Sequence, residues 1–258
     1  MIRLERLTVG YGNRRLIADV NASMGSGRLV ALIGRNGAGK SSLLRVIAGI
    51  DTPQSGEISI QGRNVAEMNP AEKARTIAFV TTHRVRVAHL RCRDVVALGR
   101  APYTDWIGRL SVNDREIVGR SLDRVGMASY ADRTMDRMSD GECQRIMIAR
   151  ALAQDTPVLL LDEPTSFLDL PNRYDLCLLL LRLAREEGKC VVFSTHELDI
   201  ALTLCDDVAL IDSPHLHLMN AADIVLSGHI ERLFNNPGIT FDPKSRKVLV
   251  EDWQKRED

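Results

Sequence analysis

The chain has 258 residues, of which 45% are hydrophobic, enough for a full core and too many for a disordered protein. Its 34 basic and 34 acidic residues balance, so net charge favours neither nucleic acid nor an anionic membrane as a partner. The five cysteines are scattered without metal-ligand spacing, as expected of buried thiols in a reducing compartment.

Short apolar runs alternate with helical patterns along the chain, which predicts an α/β fold with a largely parallel sheet. The N-terminal run alternates apolar and charged residues as a strand does, and it has no signal-peptide block. The predicted strands are Ile2–Val9, Leu29–Ile33, Glu57–Ile60, Ile77–Val80, Val158–Leu161, Val191–Ser194 and Val208–Ile211. The predicted helices between them are Lys40–Ala48, Glu142–Gln154 and Arg173–Glu187.

The middle of the chain lacks strong strand signals and carries helical patterns at Arg93–Leu98 and Asp114–Val125. We therefore expect one domain with three parts: an α/β core at 1–83 and 156–218, a helical subdomain at 84–155, and an appendix at 219–258. The apolar run Leu176–Leu181 is far shorter than the ~20 residues that cross a bilayer. The protein is expected to be soluble and to reach a membrane only through a partner.

The stretch GRNGAGKS matches the P-loop pattern G-x-x-x-x-G-K-[ST] and lies between a predicted strand and a predicted helix. Glycines let consecutive backbone N–H groups form a concave anion site, and the helix N-terminus adds unpaired donors. Lys40 supplies a positive charge for the terminal phosphates, and the Ser41 hydroxyl can ligate Mg²⁺. The pattern predicts a nucleoside triphosphate site formed by Gly34, Arg35, Asn36, Gly37, Ala38, Gly39, Lys40, Ser41 and Ser42.

Two carboxylates, Asp162 and Glu163, follow the apolar strand Val158–Leu161, at the sheet edge where ligands usually bind. Asp162 is predicted to hold Mg²⁺ through water, and Glu163 to accept a proton from an attacking water. A third motif, MSDGECQ at Met138–Gln144, has the S-x-x-E spacing of a helix capping box. A capped helix start is also compatible with anion binding.

The order of these motifs, from the P-loop through MSDGECQ and LLLDEPTSFLD to STHE, resembles the ATP-binding cassette (ABC) ATPases over about residues 1–212. The resemblance implies a P-loop nucleotide-hydrolase fold: a mainly parallel sheet flanked by helices, an N-terminal antiparallel β part and a helical insert. It also implies ATP and Mg²⁺ as cofactors. Two copies of the chain would enclose two ATP molecules, each between the P-loop of one copy and the SDGE signature of the other.

The resemblance further implies a catalytic role for two side chains. Glu163 would orient the attacking water. His196 is similar to the switch histidine of these ATPases and would contact the γ-phosphate and couple the two copies. Tyr11 matches the aromatic residue that stacks on adenine. ATP would close the dimer, and hydrolysis would open it again.

In the signature, Ser139 and Gly141 would donate to the γ-phosphate across the dimer. The segment Ser166–Asp169 is similar to the D-loop of these ATPases, and its last residue, Asp169, is expected to belong to the ATP-binding site. The chain departs from the family pattern at two positions. Thr82 stands where a glutamine that ligates Mg²⁺ is usual, and its shorter side chain needs a bridging water or a shifted loop to do so. Asp140 stands where glycine is usual, so its carboxylate is expected to point away from the triphosphate.

The segment Asp94–Leu110 is similar to a stretch in ATPases that serve importers of iron–siderophore, haem and cobalamin. The leading hypothesis is an ATP-hydrolysing importer subunit, a homodimer under two permease subunits at the cytoplasmic face of the bacterial inner membrane. A periplasmic or lipoprotein solute-binding protein would be an indirect partner, and nucleic acid is not expected to bind. The alternative is a non-transport ABC ATPase acting as a mechanical or regulatory module. A P-loop kinase would leave SDGE and STHE unexplained.

Overall fold

The computed structural model describes residues 1–82, 88–233 and 238–250. The strands in these ranges are β1 (Ile2–Tyr11), β2 (Arg14–Met24), β3 (Leu29–Gly34), β4 (Ser55–Ile60), β5 (Arg63–Asn64), β6 (Ile77–Val80), β7 (Val158–Leu161), β8 (Cys190–Ser194), β9 (Asp207–Asp212), β10 (His215–Asn220), β11 (Ile239–Asp242) and β12 (Lys247–Val250). The α-helices are α1 (Lys40–Ile47), α2 (Pro70–Thr76), α3 (Cys92–Ala97), α4 (Val112–Arg124), α5 (Asp140–Ala153), α6 (Leu170–Glu187), α7 (Leu198–Leu204), α8 (Ala221–Leu226) and α9 (His229–Leu233). The expected boundary at residues 83–84 lies outside the described residues.

The central sheet has six strands in the order β10-β9-β3-β8-β7-β6. The five strands from β9 to β6 run parallel, and β10 joins the edge antiparallel to β9. Parallel strands present their carboxyl ends at one edge of a sheet, so β3, β8, β7 and β6 all end beside one another. The predicted α/β fold with a largely parallel sheet is confirmed.

A second sheet of four antiparallel strands, in the order β2-β1-β4-β5, forms the N-terminal part that the resemblance implied. The predicted strands Ile2–Val9 and Glu57–Ile60 both belong to it rather than to the central sheet. The prediction missed β2 altogether. Its pairing with β1 is irregular, since Asp19 takes a φ of 51° and the register shifts repeatedly. The residues of β2 therefore do not alternate steadily between polar and apolar.

Two hydrophobic clusters cover the faces of the central sheet, and β3 contributes to both because successive side chains point to opposite faces. Leu29 and Ala31 belong to the cluster that also contains residues of α3 to α6. Val30 and Leu32 belong to the cluster beneath α1 and the antiparallel sheet. All five cysteines are buried free thiols, as the sequence led us to expect.

The predicted helical insert is confirmed by α3, α4 and α5, which pack against one another. A buried polar contact within it is made by Arg100, whose guanidinium donates to Asp114 Oδ1 over 2.8 Å and to the Ala153 carbonyl over 2.9 Å. These bonds fasten the segment after α3 to the start of α4 and the end of α5.

The expected appendix is partly an extension of the core. Strand β10 continues to Asn220 and pairs with β9, so the central sheet ends two residues beyond the expected limit at 218. Helices α8 and α9 bury Ile224, Val225 and Ile230 in the same cluster as α3 to α6, and β11 pairs with β12 in a hairpin. No helix in the described ranges has both the length and the apolar character needed to cross a membrane.

Candidate active site

The P-loop connects the end of β3 to the start of α1 through a turn that needs its glycines. Gly37 and Gly39 have φ angles of 75° and 108°, in the left-handed region that favours glycine. Gly34 leaves no room for a larger residue, because a Cβ there would lie 2.9 Å from the carbonyl oxygen of Ile211. The turn therefore has the close strand-to-helix geometry that the motif predicts.

Lys40 begins α1 and is only 6% exposed. Its Nζ donates to the Gly34 carbonyl over 3.0 Å and reaches the Arg35 carbonyl at 3.5 Å. Burial lowers the pKa of Lys40, and the negative charges of Glu163 and Asp162 partly oppose that shift. The lysine thus lies within electrostatic range of both acids, and the fold brings the predicted P-loop and acid pair together.

The two acids follow β7 in a tightly held turn. The Asp162 N–H donates to the Val80 carbonyl over 2.8 Å, and Thr82 Oγ1 donates to the Asp162 carbonyl over 3.0 Å. Ser194 Oγ donates to Asp162 Oδ1 over 2.7 Å. Glu163 takes a φ of 47°, a left-handed value that is uncommon for a residue with a side chain.

His196 follows β8, the strand next to β7, and its Nε2 lies 2.8 Å from Glu163 Oε1. The two side chains are 44% and 29% exposed, so solvent reaches both. A cleft beside the P-loop is lined by Gly34, Arg35 and His196. The structure therefore places the predicted histidine against the predicted acid and next to the P-loop.

Tyr11 ends β1 and is 60% exposed, although it lies against the start of α1. Its hydroxyl is 2.9 Å from Ser42 Oγ, a side chain that is buried. Ser41, the preceding residue, is exposed. The tyrosine ring is thus tethered beside the P-loop while remaining open to solvent, which suits a residue that stacks on a base.

The signature segment starts α5. Ser139 Oγ accepts from the Glu142 N–H over 3.3 Å, and the Glu142 carboxylate accepts from the Ser139 N–H over 2.8 Å, so the predicted capping box is confirmed. The Ser139 N–H also lowers the pKa of Glu142. Gly141 lies against the D-loop, where a Cβ would be 3.1 Å from the Phe167 carbonyl oxygen. Asp140 is the half-buried first residue of α5.

Ser139 and the P-loop precede different helices of one copy, α5 and α1. Among the described residues, no hydrogen bond or ion pair connects Ser139 to residues 34–42. Asp169 caps α6, where its Oδ1 accepts from the Asn172 N–H over 3.2 Å. The P-loop, both acids and His196 thus share one site, whereas Ser139 and Asp169 are the N-caps of α5 and α6.

Three oxygen donors at this edge have the chemistry that Mg²⁺ prefers. The Ser41 hydroxyl is exposed at the start of α1. Ser194 uses only one carboxylate oxygen of Asp162, which leaves the other for an ion or its water. The Thr82 hydroxyl donates its proton to the Asp162 carbonyl, but its oxygen keeps lone pairs that can bind a cation. The residues present therefore fit a magnesium site.

Ser194 is the first residue of the STHE motif, in which the sequence predicts a role only for His196. Its Oγ accepts from the Glu163 N–H over 2.8 Å while donating to Asp162. The available signal was a hydroxyl residue that ends the otherwise apolar strand CVVFS beside the strand that carries the acids. Recognising it requires knowing which strands are neighbours.

Comparisons with known proteins lead to one group. The family described as ABC transporter matches residues 17–166. The chain is 43% identical over 211 residues to an uncharacterized ABC transporter ATP-binding protein of Methanocaldococcus jannaschii, covering 82% of this chain and 73% of that protein. It is 33% identical over 247 residues to the iron(3+)-hydroxamate import ATP-binding protein of Bacillus subtilis, covering 95% and 92%.

The fold of this chain is also similar to that of a solved structure, a dimeric ATP-binding cassette bound to ADP and phosphate in a post-hydrolysis state. The TM-score is 0.76 at 25% sequence identity, covering 86% of this chain and 99% of that one. Sequence and fold comparisons therefore agree with the motif order from which the resemblance was inferred.

Proposed function

Since the chain belongs to the ABC transporter family and is an ATP-hydrolysing importer subunit, we propose that it works as a homodimer closing around two ATP molecules. The observation that carries this proposal is the grouping of Lys40, Asp162, Glu163 and His196 at one sheet edge. Ser139 is joined to no P-loop residue of its own copy among the described contacts, so a second copy would supply it. The similarity to a dimeric cassette bound to ADP and phosphate supports the same arrangement.

In the proposed site, the P-loop binds the phosphates through its backbone N–H groups. Lys40 would exchange the carbonyls it now holds for the γ-phosphate, and Tyr11 would stack on adenine. Ser41, Asp162 and Thr82 would hold Mg²⁺, which when bound offsets charge on the phosphates. The remaining P-loop contacts would come from Gly34, Arg35, Asn36, Gly37, Ala38, Gly39 and Ser42.

Hydrolysis would use Glu163 to orient a water and accept its proton, an effect of typically 10²–10⁴-fold in rate. His196 would donate from Nε2 to the γ-phosphate. The partner copy would add donors from its Ser139 and Gly141 to the same phosphate, and Asp169 at the end of the D-loop would contribute to the ATP-binding site. Closure on ATP and opening after hydrolysis would drive the permease.

For the cargo, we propose an iron–siderophore, with haem and cobalamin as the related classes suggested by Asp94–Leu110. The similarity to an iron(3+)-hydroxamate import protein over nearly the whole chain supports this choice. It also favours transport over a mechanical or regulatory module. Two permease subunits would hold the dimer at the cytoplasmic face of the inner membrane, with a solute-binding protein on the other side.

The test compares the wild-type chain with Glu163→Gln and Lys40→Ala in ATP hydrolysis and size-exclusion assays with Mg²⁺. We expect the wild type to hydrolyse ATP, and Glu163→Gln to lose at least 10²-fold in rate and accumulate ATP-dependent dimers. Lys40→Ala should neither hydrolyse ATP nor form ATP-dependent dimers, because it lacks the charge that binds the terminal phosphates. A Glu163→Gln variant with the wild-type rate would exclude the catalytic assignment. A Glu163→Gln variant that binds ATP but stays monomeric would exclude the shared site.

A further inference from the structure

Ser194 is a polar side chain with no exposed surface at the end of a buried strand. A buried hydroxyl is unfavourable unless it is hydrogen-bonded, so its partners indicate its role. Both partners belong to the acid pair. Leu161 lies opposite Phe193 in the β7–β8 register, which puts Ser194 level with the turn that follows β7.

The Ser194 hydroxyl uses its single proton and one lone pair on two consecutive residues. It donates to Asp162 Oδ1 over 2.7 Å and accepts from the Glu163 N–H over 2.8 Å. No other side chain in the described structure bonds both the Asp162 carboxylate and the Glu163 backbone. A single hydroxyl therefore links the side chain of one acid to the backbone of the other.

The bond to the Glu163 N–H matters because that residue takes a φ of 47°. A residue with a side chain stays in this left-handed region only where its surroundings hold it there. The turn is held from the β6 side by Thr82, which donates to the Asp162 carbonyl over 3.0 Å, and from the β8 side by Ser194. Without Ser194, the Glu163 N–H would lose its partner and the turn would lose its support from the β8 side, which lets the Glu163 carboxylate shift.

We propose that Ser194 is a positioning residue for ATP hydrolysis. It holds the turn so that the Glu163 carboxylate faces the attacking water and one oxygen of Asp162 stays available for the metal. Ser194 exchanges no proton with the substrate and acts only through the two acids. The inference rests on the catalytic role proposed above for Glu163.

The experiment compares Ser194→Ala and Ser194→Cys with Ser121→Ala. The cysteine variant fills the serine's volume with a poor hydrogen-bonding group, so it tests the hydroxyl even if the alanine variant does not fold. Ser121 is a matched control: it is 3% exposed, and its hydroxyl donates to the Ile117 carbonyl within α4, away from the acids. ATP affinity, kcat, thermal melting and ATP-dependent dimer formation are measured for each.

We expect both Ser194 variants to lower kcat about tenfold or more while ATP affinity changes less than about threefold. Slow hydrolysis should let them accumulate ATP-dependent dimers as Glu163→Gln does, which a merely structural role would not produce. In the Glu163→Gln background, Ser194→Ala should cost less in rate than it does in the wild type, because the part of its effect that runs through Glu163 is already lost. Ser121→Ala should match the wild type throughout.

A Ser194 variant with a rate within about twofold of wild type, or an additive loss in the double variant, would overturn the inference while leaving the proposed function in place. A wild-type rate for Glu163→Gln would instead remove the catalytic role of Glu163, and the role of Ser194 with it. The two failures are therefore distinguishable in one set of assays.

Discussion

His196 Nε2 lies 2.8 Å from Glu163 Oε1, which joins the residues that follow two neighbouring strands of the central sheet. In this position His196 is hydrogen-bonded to one oxygen of the Glu163 carboxylate, the group that is proposed to orient the attacking water. A γ-phosphate beside the P-loop would compete with Glu163 for the same Nε2. Nucleotide binding would then release the carboxylate for the water at the moment when the site is filled.

The first prediction concerns His196→Ala. Because a donor aimed at the transferring phosphoryl group is worth about 10²–10³-fold in kcat, we expect a loss of that size with little change in ATP affinity. The measurement is steady-state hydrolysis alongside equilibrium binding of ATP. His215→Ala is the control, since His215 is an exposed histidine on β10. Retention of the wild-type kcat in His196→Ala would contradict the prediction.

The second prediction concerns Thr82, whose hydroxyl donates to the Asp162 carbonyl over 3.0 Å. Thr82→Val keeps the volume but loses this bond and the candidate metal ligand. We expect ATP affinity to be retained and hydrolysis to fall about fivefold, the worth of one net hydrogen bond, with more Mg²⁺ needed for half-maximal rate. Thr82→Gln should also bind ATP normally. A Thr82→Val variant with an unchanged magnesium dependence would exclude Thr82 as a ligand.

The sequence predicted the edge of the central sheet well, because each site residue there follows an apolar strand with a clear pattern. Lys40, Asp162, Glu163 and His196 could all be placed from strand ends and motif order. The role of Ser194 could not be predicted, although the residue ends a predicted strand and opens STHE, since its contact with the acids follows only from β8 lying beside β7. Its role depends on strand order, which periodicity does not determine.

Two of the elements that were not predicted from the sequence, α2 and β2, share a physical cause, which is a weak hydrophobic period. Helix α2 buries no residue, so no apolar face marks it, although Pro70 at its start and the Asn69–Glu72 capping box were visible signals. Strand β2 loses its alternation where Asp19 takes a positive φ and the register shifts. A clear hydrophobic period in the sequence therefore predicted the strands of the central sheet, whereas α2 depends on local capping and β2 on an irregular register.

The third prediction concerns the buried ion pair between Arg100 and Asp114, whose side chains are 6% and 7% exposed. Hydrogen bonds from Ser111 and Arg100 lower the pKa of Asp114 from 3.8 to about 2. Because the pKa of Asp114 is lower in the folded than in the unfolded chain, its stabilisation is fully present at a pH above the unfolded pKa. The stabilisation is lost as the pH falls from about 4 to about 2. The shift corresponds to about 2 kcal/mol in the free energy of unfolding.

Asp114→Asn is therefore expected to lower the free energy of unfolding by about 3 kcal/mol at pH 7, because it leaves Arg100 buried without its charge partner. The difference from wild type should narrow as the pH falls toward 2, measured by urea denaturation. Asp132→Asn is the control, since Asp132 is 69% exposed in its pairs with Arg91 and Arg93 and should change stability by less than about 1 kcal/mol. Equal effects of both variants would contradict the prediction.

The fourth prediction separates the two roles of Ser139. Ser139 is the N-cap of α5, so Ser139→Ala should lower the free energy of unfolding by about 1 kcal/mol. Asn69→Ala removes an equivalent capping box at α2 and should cost a similar amount. Stability alone therefore cannot tell the signature from an ordinary cap.

The discriminating measurement is ATP-dependent dimerisation in the slow Glu163→Gln background. Ser139→Ala should weaken the dimer at least tenfold, because a donor to the γ-phosphate is lost at each of the two shared sites. Asn69→Ala should leave the dimer unchanged despite its matched loss of stability. If both variants dimerise equally well, Ser139 is a helix cap and nothing more, and the partner copy completes the site through other groups.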